Sequence, residues 1–206
     1  MQQLLYYPHT SPNPAKDYQE EAIAKKNTYF IMQIATMYVT KQEHSPVIDK
    51  LYEALLHNLI DTVSYREPNN LIEVIRYSPR IPERYTDFSV LKMAHELSVY
   101  FDLSPVFALS IVWSNWARAV YQKRLKRFVA FAVNSMKIAP CECAEETALK
   151  GIHAMENFLR AAHLPLTFEE VGIFPTDSEI NKLAENCLPK GEEAAKTIQL
   201  ILKCSQ

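Results

Sequence analysis

The chain has 206 residues and a formal net charge of −2, long enough to bury a core and too weakly charged to be drawn to nucleic acid or an anionic membrane. Apolar residues at 48% and charged residues at 22% make an ordinary globular composition. No apolar run reaches the ~18 residues of a membrane span, and residues 1–8 lack the basic and apolar regions of a signal peptide, so a cytoplasmic location is expected.

Residues 1–18 carry Pro8, Pro12 and Pro14 among Ser, Thr and Asn and are expected to form an extended arm. Residues 19–206 read as one helical domain. The spacing predicts a first helix over 19–40. A second follows Ser45-Pro46, an N-cap with proline at the first helical position. Its apolar positions Val47, Ile48, Leu51, Tyr52, Leu55, Leu56, Leu59, Ile60 and Val63 form one stripe that should face the core. Pro68, Pro79 and Pro82 break residues 68–85 and leave only a short helical pattern at 71–77. Further helices are predicted at 86–102, 106–121, 125–137, 144–163, 177–188 and 192–204. The penultimate one opens on Thr176-x-x-Glu179, a capping-box pattern. No strand pattern of useful length is present, so the expected fold class is all-α.

Only three glycines occur, Gly151, Gly172 and Gly191. Phosphate-cradling loops need several glycines close together, so neither a dinucleotide fingerprint nor a P-loop can be written on this chain. Cys141, Cys143, Cys187 and Cys204 are expected as free thiols in a reducing compartment. Cys141-Glu142-Cys143 has no further His or Cys close in sequence to complete a zinc site. The densest basic cluster is Arg118, Lys123, Arg124, Lys126 and Arg127; in a chain of acidic balance it reads as a solvated helix junction rather than a nucleic-acid surface. Phe107, Trp113, Trp116, Tyr121, Phe128 and Phe131 recur at helical spacing and read as core before pocket.

The run His95-Glu96-Leu97-Ser98, continuing through Val99-Tyr100-Phe101 to Asp102-Leu103-Ser104-Pro105-Val106, resembles the signature of the iron-containing (group III) alcohol dehydrogenases, especially their butanol dehydrogenase-like branch. In that family a similar His-Glu-Leu-Ser/Thr helix enters an aromatic-Asp-x-x-His-Gly turn. The apolar run from Phe107 to Trp116, the stretch Arg127-Phe128-Val129-Ala130-Phe131-Ala132, the segment Gly151 to Arg160, Leu164-Pro165-Leu166-Thr167 and Glu170-Val171-Gly172-Ile173 follow in the family's order. The likeness covers most of 29–204 and implies the family's C-terminal helical domain, the chain starting after the α/β domain that holds the nicotinamide dinucleotide.

The resemblance also implies where a metal would sit. The family holds Fe²⁺ or Zn²⁺ with an Asp and a His four apart on the first helix of this half, and with histidines four before and ten after the signature histidine. Those positions here are Tyr29, Gln33, Leu91 and Pro105, and none keeps its ligand type. His95 remains as a residual proton-relay position, or as a structural helix histidine beside Glu96 and Asp102. Expected are no bound metal, no cofactor and no catalysis, the chain serving as an interaction or regulatory module. A homodimer or a protein partner would cover the face that the dinucleotide domain otherwise buries. Two alternatives stay open. One is a subunit of a split NAD(P)-dependent alcohol or aldehyde oxidoreductase, its metal site remodelled around His95 with Asp102 or Glu96. The other is a small-ligand binder using the old cleft of Tyr29, Gln33, Leu91 and His95.

Overall fold

The computed structural model describes residues 14–40, 46–65, 89–187 and 192–206, with side chains from residue 24 onward and without those of 61–65. Among the described residues there are eight α-helices and no strand: α1 (Pro14–Thr40), α2 (Pro46–Tyr65), α3 (Ser89–Tyr100), α4 (Pro105–Val120), α5 (Leu125–Ala130), α6 (Ala144–Ala161), α7 (Asp177–Asn186) and α8 (Glu192–Cys204). The all-α expectation is met. None of the described helices is long and apolar enough to cross a membrane.

α4 is the hub. Its apolar side chains run round the whole helix, as in a fully buried element, and Val106, Leu109, Ile111, Val112, Trp113 and Trp116 are all buried. It packs against α1, α3, α6 and α8. Ser104 caps its first turn, accepting from the Phe107 amide at 3.5 Å, and Pro105 takes the first helical position, where its missing N–H costs nothing. Several polar atoms on α4 find partners on α1, α3, α8 and the loop after α6. Trp113 Nε1–H donates to Thr36 Oγ1 of α1 at 3.0 Å and Trp116 Nε1–H to Ser89 Oγ of α3 at 3.0 Å. Ser110 Oγ donates to the Pro165 carbonyl at 2.7 Å, and Asn115 Nδ2 donates to the Cys204 carbonyl at 2.9 Å. Thr28, Thr36 and Thr40 sit buried within α1 because each hydroxyl donates to the carbonyl four residues back.

Three expectations are corrected. α1 begins at Pro14, so residues 14–18 of the expected arm are helical; the arm's remainder, 1–13, lies outside the described residues. Proline at a helix start supplies the φ that the first turn needs. On α2 the stripe is too generous. Tyr52, Leu55, Leu56 and Leu59 are buried, whereas Val47 is 78% exposed and Leu51 37% exposed, because these two lie at the edge of the stripe. The expected single helix over 125–137 changes character: α5 ends at Ala130 and a π turn spans Phe131–Ser135, closed by Met136 N–H donating to the Phe131 carbonyl at 3.1 Å. The widened turn keeps Phe131, Ala132 and Ser135 buried together. The capping box stands as expected, with Thr176 and Glu179 each accepting from the other's amide. The short pattern at 71–77 lies outside the described residues.

Candidate functional site

α4 packs against both α1 and α3, which brings together the three helices that carry the candidate positions. On α1, Tyr29 and Gln33 lie one turn apart on the same face. Burial raises the Tyr29 hydroxyl above its ordinary value, opposed by a hydrogen bond with Gln33, so the phenol keeps its proton. On α3, Leu91 is half-buried and packs on the core, while His95, one turn later, is exposed. Pro105 is exposed at the start of α4, and two residues on, the Lys25 ammonium of α1 lies over the Phe107 ring at 5.3 Å.

The turn between α3 and α4 explains the rest of the His95 run. Leu97 is wholly buried. Ser98 Oγ donates to the Leu103 carbonyl at 2.6 Å, and the Leu103 amide returns to the Ser98 carbonyl at 3.1 Å. Asp102 takes a left-handed φ of 52°, a conformation that Asp tolerates better than most residues. The charges of Glu96 and Lys92 act on the buried Cys187 at the end of α7. Burial first, then the Glu96 charge, push that thiol up to about 11, with Lys92 opposing. Of the residues that match the signature, Ser98 and Asp102 shape this turn and Leu97 anchors its helix in the core.

No family model and no curated protein matches the sequence. Solved structures do. An aldehyde reductase of E. coli, in its substrate- and cofactor-free form, aligns with a TM-score of 0.73 at 18% identity, covering 91% of this chain and 53% of that one. The NADH-dependent butanol dehydrogenase A of Thermotoga maritima gives 0.71 at 18%, covering 90% and 52%. The alcohol dehydrogenase of Oenococcus oeni gives 0.70 at 15%, covering 91% and 52%. The chain has the fold of the helical half of an iron-containing alcohol dehydrogenase. It spans about half the length of the structures it matches, and at such identities the likeness is one of fold.

The metal expected in that fold does not fit these residues. Leucine and proline side chains offer no lone pair, and a neutral amide and a proton-bearing phenol are poor donors to a divalent ion. Among the described residues, no three of His, Cys, Asp and Glu gather as a metal-holding group. A shallow depression of about 380 Å³ lies nearby, lined by Phe107, Arg160, His163, Leu164, Pro165, Glu170 and Val171. Tyr29, Gln33, Leu91 and His95 are not part of its lining. Glu170 is occupied there, pairing with Arg160 at 3.1 Å and accepting the Leu166 amide at 2.8 Å.

The basic cluster does not form one surface. Arg118 pairs with Glu156 of α6, Lys123 approaches Glu193 at 3.7 Å, and Arg124 donates to the Thr40 carbonyl at 2.8 Å. Arg127, read from sequence as solvated, is buried. Its fork meets both Asp49 oxygens of α2 at 3.1 Å, its Nε donates to the Tyr38 carbonyl at 2.9 Å, and its guanidinium lies over the Tyr38 ring at 4.3 Å. Sequence reading missed this network; the only signal for it was an arginine leading the apolar run Phe128-Val129-Ala130-Phe131. The tryptophans and Phe131 are core, as expected, with Trp113 in ring contact with Trp116 and Phe131.

Proposed function

We propose that this chain uses the helical half of the alcohol dehydrogenase fold without a metal and without hydride transfer, as an interaction or regulatory module. What supports the reading is the chemistry at the four positions that the family resemblance assigns to metal ligands: Tyr29 and Gln33 lie one turn apart on α1 with the phenol protonated, Leu91 packs on the core, and Pro105 starts a helix. In this fold class a metal acts as a Lewis acid on an alcohol or carbonyl oxygen, and two apolar side chains with two weak neutral donors are a poor set to hold one in that role. A site remodelled around His95 has less support, because no metal-holding group of three gathers among the described residues and Asp102 serves the turn. A module works through a partner, a second copy of this chain or another protein. Val99 and Phe174, 69% and 75% exposed, are apolar side chains available to one.

Calorimetric titration of the anaerobically purified protein with Fe²⁺ and with Zn²⁺ tests this directly. No saturable heat is expected. Near-stoichiometric, micromolar binding that disappears in His95→Ala overturns the reading and restores the oxidoreductase alternative.

A further inference from the structure

The two thiols in front of α6 stand outside everything described so far. The segment Cys141-Glu142-Cys143 is wrapped round one side chain, the buried Thr147. Its hydroxyl accepts the Cys141 amide at 2.9 Å and donates to the Cys143 carbonyl at 3.1 Å. Fully extended, three residues span about 10 Å. Here the amide that opens the segment and the carbonyl that closes it both lie about 3 Å from one oxygen, so the segment is curled. Curling draws the two Cα atoms toward the separation that a disulfide needs.

The two sulfurs are not equivalent. Lys150, two turns into α6, places its Nζ 3.1 Å from Cys141 Sγ, and the same ammonium pairs with Glu146 at 2.8 Å. Glu146 fixes the ammonium beside the sulfur. Cys141 is half-buried and reachable, and Cys143 is exposed at the N-cap of α6, where its side chain makes no capping bond. Of the other thiols, Cys187 is buried and Cys204 lies exposed at the C-terminal end of α8, where the helix dipole disfavours negative charge on sulfur.

We propose that Cys141 and Cys143 form a dithiol–disulfide pair that exchanges with small disulfides of the glutathione class, Cys141 attacking and Cys143 resolving. The Cys141 thiolate, held by the Lys150 ammonium, attacks one sulfur of the small disulfide. A protein–small-molecule S–S bond forms, the original S–S bond breaks, and the departing thiolate takes up the proton that Cys141 released. Cys143, deprotonated by solvent, then attacks Cys141 Sγ. The Cys141–Cys143 bond forms and the second small thiol leaves with a proton. Two protein thiols are oxidised and one small disulfide is reduced to two thiols, so atoms and electrons balance. Lys150 is a positioning residue, and closing the bond releases it to Glu146 alone.

The test incubates the reduced protein with excess oxidised glutathione and maps modified cysteines by mass spectrometry over time. Wild type is expected to pass through a mixed disulfide on Cys141 to a 141–143 disulfide. Cys143→Ser should stop at the mixed disulfide. Lys150→Gln should slow the first step on the order of fivefold and Lys150→Arg should restore it. Added salt should slow wild type while leaving Lys150→Gln unchanged, which a merely structural lysine would not produce. Equal labelling of Cys141 and Cys204, a mixed disulfide that persists in wild type, or a Lys150→Gln rate equal to wild type would overturn the proposal.

Discussion

Gly151→Ala is the most direct probe of how α6 sits on the π turn. A Cβ built on Gly151 would lie 2.5 Å from Ala132 Cβ and 2.8 Å from Ala132 Cα. Carbon atoms in contact prefer about 3.5–4.0 Å, so roughly 1 Å of separation is missing. Both offending atoms are fixed to backbone, and no rotamer change relieves them. The helix must move off Phe131–Ser135, loosening the buried Ala148, Ile152 and Met155 on the same face. Overpacking of this kind costs about 1–3 kcal/mol. Replacing a mid-helix glycine by alanine returns about 1 kcal/mol through helix propensity and the unfolded chain. Displacing a whole helix places the overpacking cost at the upper end of its range, so a net loss on the order of 2 kcal/mol is expected. Urea unfolding followed by the fluorescence of the buried Trp113 and Trp116 reads it as a lower midpoint at unchanged slope. Ala132→Gly in the same chain should recover part of the loss, since it removes the closer contact but not the Cα. A neutral or stabilising Gly151→Ala would refute the close approach of these two elements.

Other outcomes follow from the same packing. Arg127→Ala should cost about 3 kcal/mol in urea unfolding, because Asp49 and the Tyr38 carbonyl lose their partner in a largely buried place; Arg127→Lys should recover little, having no fork. Thr176→Ala should cost about 1 kcal/mol by opening the capping box of α7, and circular dichroism melting would detect it. Burial pushes the Glu156 carboxyl up, but hydrogen bonds from Arg118 and His153 outweigh it and hold the group below its ordinary value. The unfolded chain therefore takes up this proton first as pH falls. The stabilisation is complete above about pH 5 and is lost below it as pH falls through the folded value. Glu156→Gln should flatten that acid limb in a series of unfolding midpoints from neutral pH downward.

The helices were legible where local chemistry marks their ends. Ser104-Pro105 and Thr176-x-x-Glu179 cap α4 and α7 because capping is settled within four residues of chain. The π turn was not legible, since Phe128, Phe131 and Ala132 keep the ordinary helical period while the widening answers to α6 across the contact. Val47 and Leu51 have the right period for a core face, but periodicity carries no record of how wide a face the neighbours cover. Arg127 read as solvated because its partner, Asp49, lies 78 residues away. In the candidate site, the role of Ser98 in bracing the turn needed the fold, because its partner is the Leu103 carbonyl beyond the end of α3. The contact between Cys141 and Lys150 was likewise invisible, because it depends on how the segment before α6 curls back over the helix.

Restoring the ligand types that the family resemblance assigns to residues 29, 33, 91 and 105 tests the metal-free reading. The most direct measurement is Zn²⁺ titration, by calorimetry, of the variant Tyr29→Asp, Gln33→His, Leu91→His, Pro105→His beside wild type. One-to-one binding is expected in the variant, with none in wild type. Binding by wild type, or no binding by a variant whose circular dichroism shows it folded, would contradict it.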